Sequence, residues 1–512
     1  MASATKSSGD MPFIVSTGTK KPDPELRKLI RSHVMKGKNR GRVLRPKYKI
    51  IADTGSIIHP SDSTPSSDDV STDNSPVPAH LVTIPRKVGS DISLTRFADT
   101  IEDSTASVII QFSTIAKRAL FPLESCINFG PKEKTLEALA VDAAYLHAMA
   151  FSAQAYFDLL RGNRPYDRAA VASPHVIKTL QLLRQRLDAP EHDDRAKFLS
   201  STAAVVLCLT FHAHIMGDHE AARHHMLGLR KIVDIGGGLP VLKQNIKGTI
   251  EILRCDIGMA LHSGTKPLFF ADLAREPYWP YPDFAAYIHD DASIICSSSA
   301  TEEPFLRTLD NDLATAWRTT AQFTTLINHA AATHRKLPKE VLLDAMASIT
   351  YRLLHMSFPS TSTSTSLSEA VRLGLLAFGS NIFLQWAGVR LPYTYFPAAY
   401  RNSLLNFNLP EFPVSIPDDD DDDDDDDGTR STDSLPRLLI WLLTIGSVSV
   451  FNGSSGDSDV WLKPWLRVNL EVCGVRSWVA MREVLDSFMW VGLVHDGPGK
   501  ALFDSTVSVN LW

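Results

Sequence analysis

The histidines are the residues of this sequence whose types and spacing come closest to metal chemistry. Five of them fall close together: His212, His214, His219, His224 and His225. A zinc-hydrolase helix places two histidines at i and i+4, about 40° apart on one face. His219 and His224 are instead separated by about 140° on a helix of 3.6 residues per turn, so they cannot share an ion unaided. The spacing therefore predicts polar residues on exposed helix turns, with room for one packed histidine, and no metal site.

Ten consecutive aspartates, Asp418–Asp427, form the second group with obvious chemistry. The end of the run and Gly428 match the opening of a calcium-loop pattern, but the twelfth position is Ser434 instead of a bidentate Glu. Ten like charges repel one another, which predicts a solvated loop. Three interpretations stay open: an inert spacer, an acidic segment that contacts partners or screens a basic one, and a specific Ca²⁺ site.

The glycine-rich motifs lack the residues that catalysis would need. Gly497–Lys500 hints at a phosphate loop, but Val494 stands where the pattern requires Gly, and Ala501 where it requires Ser or Thr. Gly453–Gly456 is one residue short of a nucleophile elbow. Gly236–Gly238 follows a predicted helix instead of opening one, so it is typical of a helix end. The sequence therefore predicts neither an enzyme nor a cofactor.

The cysteine spacing and the hydropathy of the sequence indicate in which cellular compartment we expect the protein. The five cysteines are at least 41 residues apart, which predicts no disulfide framework and favours a reducing compartment. The longest apolar run, Leu438–Phe451, is too short to cross a bilayer and predicts a buried core helix. The N-terminus shows no apolar signal segment, so we expect a soluble intracellular protein without a membrane partner.

The N-terminal arm is strongly basic, although the whole chain has a net charge of −6. Residues 1–49 contain 13 Lys or Arg against 3 Asp or Glu. Such an arm favours an anionic partner, and it could act as a nuclear-import signal, a non-specific nucleic-acid contact or an ordinary solvated tail. The candidate import or anion-binding residues are Lys36, Lys38, Arg40, Arg42, Arg45 and Lys47.

The elements that must position any site are predicted to be helices. Residues 1–90 read as a disordered arm, basic at first and then rich in Ser, Thr, Pro and Asp. Residues 91–512 read as an all-α domain of antiparallel helix pairs, with disordered insertions near 357–366 and 409–434. The predicted helices are Ser107–Ala119, Lys134–Leu160, Pro174–Leu187, Lys197–Met216, a helix after Asp218, Gly248–His262, Leu306–His334, Pro338–Leu354, Leu367–Arg390, Leu435–Ser449 and Trp478–Val494.

The segment Gly217–Phe270 resembles the α-helical regulatory domain of fungal-specific transcription factors. It contains a Gly-Asp turn, an Ala-Arg-x-His helix, a Gly-Gly stop, and an Arg-x-Asp helix ending near Lys-Pro-Leu-Phe. Phe13–Val15 and Arg27–Gly41 likewise resemble the N-terminus of relatives in that group. The polar members of the motif are Arg223, His224, Arg230, Asp234, Arg254 and Asp256. We expect structural roles for these six, including a contact between Arg230 and Asp256.

The resemblance implies a regulator whose helical body binds partners or senses a small molecule. In that family a cluster of six cysteines holding two zinc ions usually precedes the helical domain and binds DNA. Residues 1–125 contain no cysteine, so sequence-specific DNA binding is not carried over. The expected partners are nuclear proteins, a DNA-binding partner or a small-molecule effector. The expected location is the nucleus, and the alternative is a distribution between nucleus and cytoplasm. A cytoplasmic helical scaffold and an enzyme whose site forms only in the fold remain as alternatives.

Overall fold

The computed structural model describes nine stretches of the chain. These are residues 96–130, 133–161, 173–188, 195–287, 304–358, 363–386, 393–406, 434–451 and 457–508. All of them belong to one compact unit, 87–512. The predicted arm 1–90 and the aspartate run lie outside the described residues, as do residues 359–362 and 409–433 of the predicted insertions.

The described residues are mostly helical, which confirms the all-α prediction. The helices are α1 (Asp103–Leu120), α2 (Glu133–Val141), α3 (Ala143–Leu160), α4 (Pro174–Asp188), α5 (Arg195–Ile215), α6 (His219–Ile235), α7 (Leu239–Leu242), α8 (Ile246–Ser263), α9 (Asn311–Ala332), α10 (Lys339–Ala345), α11 (Tyr351–His355), α12 (Thr363–Gly379), α13 (Tyr395–Leu405), α14 (Ser434–Ser449), α15 (Asp457–Val472), α16 (Trp478–Phe488) and α17 (Gly492–Val507). Two π-helical turns, Met346–Thr350 and Ser380–Leu384, join α10 to α11 and extend α12.

Helix α6 begins and ends where its sequence predicts. The Asp218 carboxylate caps it by accepting a hydrogen bond from the Ala221 backbone N–H at 3.0 Å. Gly217 has a positive φ of 75°, which lets the chain turn back between α5 and α6 without a Cβ clash. Gly236 ends the helix. Gly237 and Gly238, which follow it, both have positive φ values, as is typical of residues just beyond a helix C-terminus.

Several predicted elements differ from the structure. The predicted helix 134–160 is broken at Asp142, because its side chain caps a new helix through the Tyr145 N–H. The predicted helix 478–494 likewise ends early, and 492–507 is a separate helix. Residues 363–366 of the predicted Ser/Thr insertion form the first turn of α12, where short hydroxyl side chains are well tolerated. Helices α13 and α15 were not predicted, nor was the two-residue parallel pairing of 127–128 with 337–338.

The described side chains form two hydrophobic clusters. The larger one includes side chains from Phe121 to Phe503 and surrounds the fully buried Trp441, whose indole N–H donates to the Met489 carbonyl at 2.7 Å. Gly374 allows α12 to lie against α14, since a Cβ at this position would be 2.5 Å from Leu442. The smaller cluster joins α1, α2 and α3 to Ile215 and Trp386. The boundary between the two clusters is where the candidate site lies.

One described helical stretch, Thr365–Leu384, is long and apolar enough to span a membrane by length and composition. Within the structure, 83% of its apolar window is buried. A core helix passes the same test, and the packing of α12 against α14 is that of a core helix.

We predict that Asp142→Ala lowers the unfolding free energy by about 2 kcal/mol. The substitution removes the α3 cap and leaves the Arg186 guanidinium and the Ser201 hydroxyl without their shared carboxylate. Urea unfolding followed by circular dichroism measures the effect. The matched control on the same helix is Asp158→Ala, whose carboxylate pairs with the exposed Arg161. Equal midpoints for the two variants would show that the cap contributes nothing.

Candidate functional site: an apolar cavity and an adjoining polar network

A cavity of about 560 Å³ lies between α1, α3, α5, α8 and the turn that follows α6. Five aromatic residues line it: Phe112, Tyr145, Tyr156, Phe211 and Trp386. Their ring centroids are 5.3 Å apart for Phe112 and Tyr156, 6.1 Å for Tyr156 and Trp386, and 5.4 Å for Phe211 and Trp386. Pockets that bind small molecules in proteins have this size and this aromatic composition.

Small side chains on facing elements create the space. Ala203 and Ala204 on α5, Ala116 on α1, and Gly236 and Gly238 after α6 all line the cavity. Larger residues at these positions would close the gap between the two hydrophobic clusters. The cavity therefore exists because at least five lining positions carry small residues. One larger side chain at such a position can fill part of the cavity.

The polar groups of the cavity wall are few and mostly uncharged. Burial raises the pKa of the Cys208 thiol to about 11, and burial raises the pKa of the Tyr145 hydroxyl as well. The wall contains one carboxylate, Glu251, and one ammonium group, Lys247. Lys247 is half-buried, and the nearby lining residue Asn245 is exposed, so this side of the cavity adjoins solvent.

Apart from the Ser152 hydroxyl, which interacts with the Cys208 thiol, two lining residues carry a buried polar atom with no hydrogen-bond partner among the described residues. These atoms are the Ser113 hydroxyl oxygen and the Trp386 indole nitrogen, each with less than 1 Å² of accessible surface. An indole N–H can only donate a hydrogen bond, whereas a serine hydroxyl can donate and accept. A buried polar group without a partner is costly, by about 1–3 kcal/mol, so both are candidates for contact with a ligand.

The buried Arg254 connects the cavity to the chain segment that carries Trp386. Its guanidinium donates to the Glu251 carboxylate at 3.1 Å and to the Leu384 carbonyl at 3.1 Å. The guanidinium also lies over the Phe121 ring, 5.2 Å from the centroid. Glu251 is thus a cavity carboxylate whose charge is compensated from the side facing away from solvent.

Asp256 lies on the same helix as Arg254 and holds the segment that follows α8. Its carboxylate accepts hydrogen bonds from the backbone N–H groups of Leu268 and Phe269, at 2.8 and 3.1 Å. The Tyr351 hydroxyl donates to it at 2.9 Å. Burial raises the pKa of Asp256 to about 6, although these three donors and the positive charge of Arg230 act in the opposite direction.

The predicted contact between Arg230 and Asp256 is wrong. Arg230 instead pairs with Asp234 at 3.0 Å and with Glu276, and it donates to the Leu268 carbonyl at 3.0 Å. Because Asp256 binds the N–H of Leu268 and Arg230 binds its C=O, the two side chains hold the same residue from opposite sides. They are connected through the backbone and form no ion pair. Arg223 and His224 are exposed on α6 and take no part in this network.

The histidines occupy two different environments. His214 and His219 meet a third ring, His262 of α8, with centroids 5.3 Å apart for His214 and His219 and 3.9 Å apart for His219 and His262. No group of three His, Cys, Asp or Glu in the described stretches has the arrangement of a metal site. His212 packs edge-on against Phe151. The sequence did not point to His262, which is 43 residues beyond His219.

The structure brings together part of the residue set that the sequence singled out. Arg230, Asp234 and Asp256 belong to contacts that meet at Leu268, and Arg254, on the same helix as Asp256, binds Glu251 and the Leu384 carbonyl. The arm residues Lys36, Lys38, Arg40, Arg42, Arg45 and Lys47 lie outside the described residues. Sequence reasoning missed the cavity, although Ala204, Cys208 and Phe211 do follow helical spacing on one face of α5.

Comparison with known proteins gives no relative for this chain. No family model matches it, no curated protein matches it, and no solved structure matches it. The function must therefore be argued from the cavity, the polar network and the sequence pattern.

Proposed function

We propose that this protein is a regulator of the fungal transcription-factor type, in which the helical body responds to a small molecule and the basic arm directs nuclear entry. The observation that carries the proposal is the cavity of about 560 Å³, whose wall contains five aromatic side chains. A cavity of this size between helices is suited to binding a ligand, and its lining residues offer no arrangement of nucleophile and base.

The link between the cavity and the rest of the helical body supports a regulatory role for the ligand. Arg254 contacts the cavity carboxylate Glu251 and the backbone just before Trp386. Gln385 donates to the Ser449 carbonyl at the end of α14, 3.1 Å away. A ligand that shifts Trp386 would therefore move a segment bonded both to α8 and to α14. Such a connection would carry the effect of ligand binding from the cavity to α8 and α14.

The basic arm and the absence of a zinc cluster define how the regulator would reach its targets. Residues 1–49 of the arm carry ten more basic than acidic residues, and we propose that the Lys36–Arg42 stretch acts as an import signal. Without a zinc cluster, recruitment to DNA would depend on a DNA-binding partner or on non-specific phosphate contacts. Cofactors have no place in this proposal.

The proposal predicts discrete chromatin occupancy of the tagged full-length protein in the cells that produce it. A version with Lys36, Lys38, Arg40 and Arg42 replaced by alanine should lose nuclear accumulation, and a version lacking residues 1–49 should lose its peaks. The control replaces the exposed Lys231 of α6 by alanine, which changes charge outside the arm.

Each outcome of that experiment has a defined meaning. Peaks that survive deletion of the arm would show recruitment through the helical body by a DNA-binding partner. No enrichment for any version, with the protein remaining in the cytoplasm, would reject the regulator and favour a cytoplasmic helical scaffold.

A further inference from the structure

The ligand class can be argued from the cavity wall, and this inference deepens the proposed function by naming what the cavity would bind. The five aromatic residues Phe112, Tyr145, Tyr156, Phe211 and Trp386 offer ring faces and edges around a volume of about 560 Å³. Rings pack on such walls in stacked or edge-to-face geometry, which favours a ligand that contains rings. The volume suits a molecule of drug size.

The charges of the wall favour a neutral ligand. The Cys208 thiol stays protonated at neutral pH because burial raises its pKa. Glu251 is already paired with the buried Arg254, at 3.1 Å. A charged ligand deep in the cavity would lose its hydration without gaining a free counter-charge, which is costly in an apolar site. Only Lys247, on the side that adjoins solvent, could attract an acid.

The unsatisfied donors favour an oxygen on that ligand. Among the described residues, the Trp386 indole N–H has no acceptor and the Ser113 hydroxyl has no partner. Both residues line the cavity, but less than 1 Å² of each polar atom is accessible, so contact requires a small rotation of the side chain. A carbonyl or hydroxyl oxygen can accept from the indole N–H, and a hydrocarbon cannot.

We infer that the cavity binds a neutral, ring-containing, largely apolar molecule whose carbonyl or hydroxyl oxygen accepts a hydrogen bond from Trp386. Ligand entry then turns the Trp386 indole. Because Arg254 binds the Leu384 carbonyl and the Ser449 carbonyl accepts from the Gln385 side-chain amide, the turn is passed to α8 and α14.

Nile red, a neutral planar dye with one carbonyl oxygen, is the probe for the full-length protein. We expect saturable binding with blue-shifted emission at one site per chain. Ala204→Phe, which fills the cavity, should weaken binding at least about tenfold, and Trp386→Phe about fivefold through the lost hydrogen bond. The matched control is Ala274→Phe, at an exposed alanine that does not line the cavity. Equal Nile red affinities for Ala204→Phe, Ala274→Phe and the wild type would overturn the inference.

A competition series on the wild-type protein tests the chemistry without any substitution. Fluorenone, fluorene and fluorene-9-carboxylate share one ring system and differ in a carbonyl oxygen and a negative charge. We expect fluorenone to displace Nile red at about one-fifth of the concentration that fluorene needs, and the carboxylate to be the weakest competitor. The fluorenone advantage should vanish in Trp386→Phe. Equal displacement by fluorene would reject the oxygen contact, and strongest displacement by the carboxylate would reject a neutral ligand.

Failure of this inference can be told apart from failure of the proposed function. Binding of Nile red in the cavity with no chromatin occupancy in cells would keep the ligand class and reject the transcriptional role. Chromatin occupancy without binding of any of these probes would keep the transcriptional role and reject the ligand class.

Discussion

Asp256→Ala is expected to lower the unfolding free energy of the helical body by about 3–5 kcal/mol. The substitution leaves two backbone N–H groups, those of Leu268 and Phe269, without an acceptor, together with the Tyr351 hydroxyl. Asp256 is 2% exposed, and Tyr351 and Phe269 are fully buried, so water cannot replace the lost carboxylate without local opening. Each unsatisfied buried donor costs about 1–3 kcal/mol.

The measurement is urea unfolding at pH 7, monitored by circular dichroism and by tryptophan fluorescence. Asp256→Asn should fall between the wild type and the alanine variant, because one amide oxygen still accepts while the amide NH₂ faces a backbone donor. Asp234→Ala is the matched control: it removes the more exposed of the two carboxylates on Arg230, and Glu276 remains. It should cost no more than about 1 kcal/mol. An Asp256→Ala midpoint no lower than that of Asp234→Ala would contradict the network described above.

Local patterns could be predicted because their causes are local. The α6 cap at Asp218 needs only its own next three residues, and the glycines after α6 need only their own φ freedom. The same reasoning failed at Asp142, because a carboxylate inside an apolar pattern looks like an exposed helical residue. Its role as a cap is fixed by Arg186 and Ser201, which are 44 and 59 residues away.

The candidate site could not be predicted from the sequence, because it too depends on residues that are far apart in the chain. The cavity exists where α1, α3, α5 and α8 fail to fill the space between two hydrophobic clusters, and small residues are common on any helix. Trp386 reaches the cavity only because a π-helical turn, Ser380–Leu384, ends α12 at the right place. The motif residues Arg254 and Asp256 were named from the sequence, but their partners at 268, 351 and 384 come from distant segments.

Acid should destabilise the helical body between pH 6.5 and pH 4, and two buried histidines are the main cause. Burial lowers the pKa of His214 to about 4, helped by the nearby His262 and His219. Burial lowers the pKa of His495 to about 3. An unfolded histidine titrates near 6.5, so in this window the unfolded chain binds more protons than the folded one. The stability that these neutral histidines provide is complete above pH 6.5 and is lost as the pH falls towards 4 and 3.

Asp256 acts in the opposite direction over a similar range. Its pKa is raised from 3.8 to about 6, so the folded protein binds a proton there before the unfolded chain does. Protonation of Asp256 therefore raises the unfolding free energy as the pH falls from about 6 to 3.8. At about 1.4 kcal/mol per pKa unit, the two histidines outweigh the single aspartate, leaving a net loss of about 3–5 kcal/mol by pH 4.

The unfolding free energy at pH 7.0 and at pH 4.5 measures this balance for the wild type and His495→Gln. His495 accepts a hydrogen bond from the Val491 N–H at its Nδ1 atom, and its Nε2 atom is buried without a partner. Glutamine can keep an acceptor for Val491 and does not titrate, so the variant should be less stable at pH 7.0 and should lose less stability on acidification. His224→Gln, at an exposed position on α6, should follow the wild-type pH profile. If His495→Gln lost as much stability on acidification as the wild type, the acid sensitivity would have to arise from groups other than the His495 imidazole. Glutamine at this position gains no proton in this pH range.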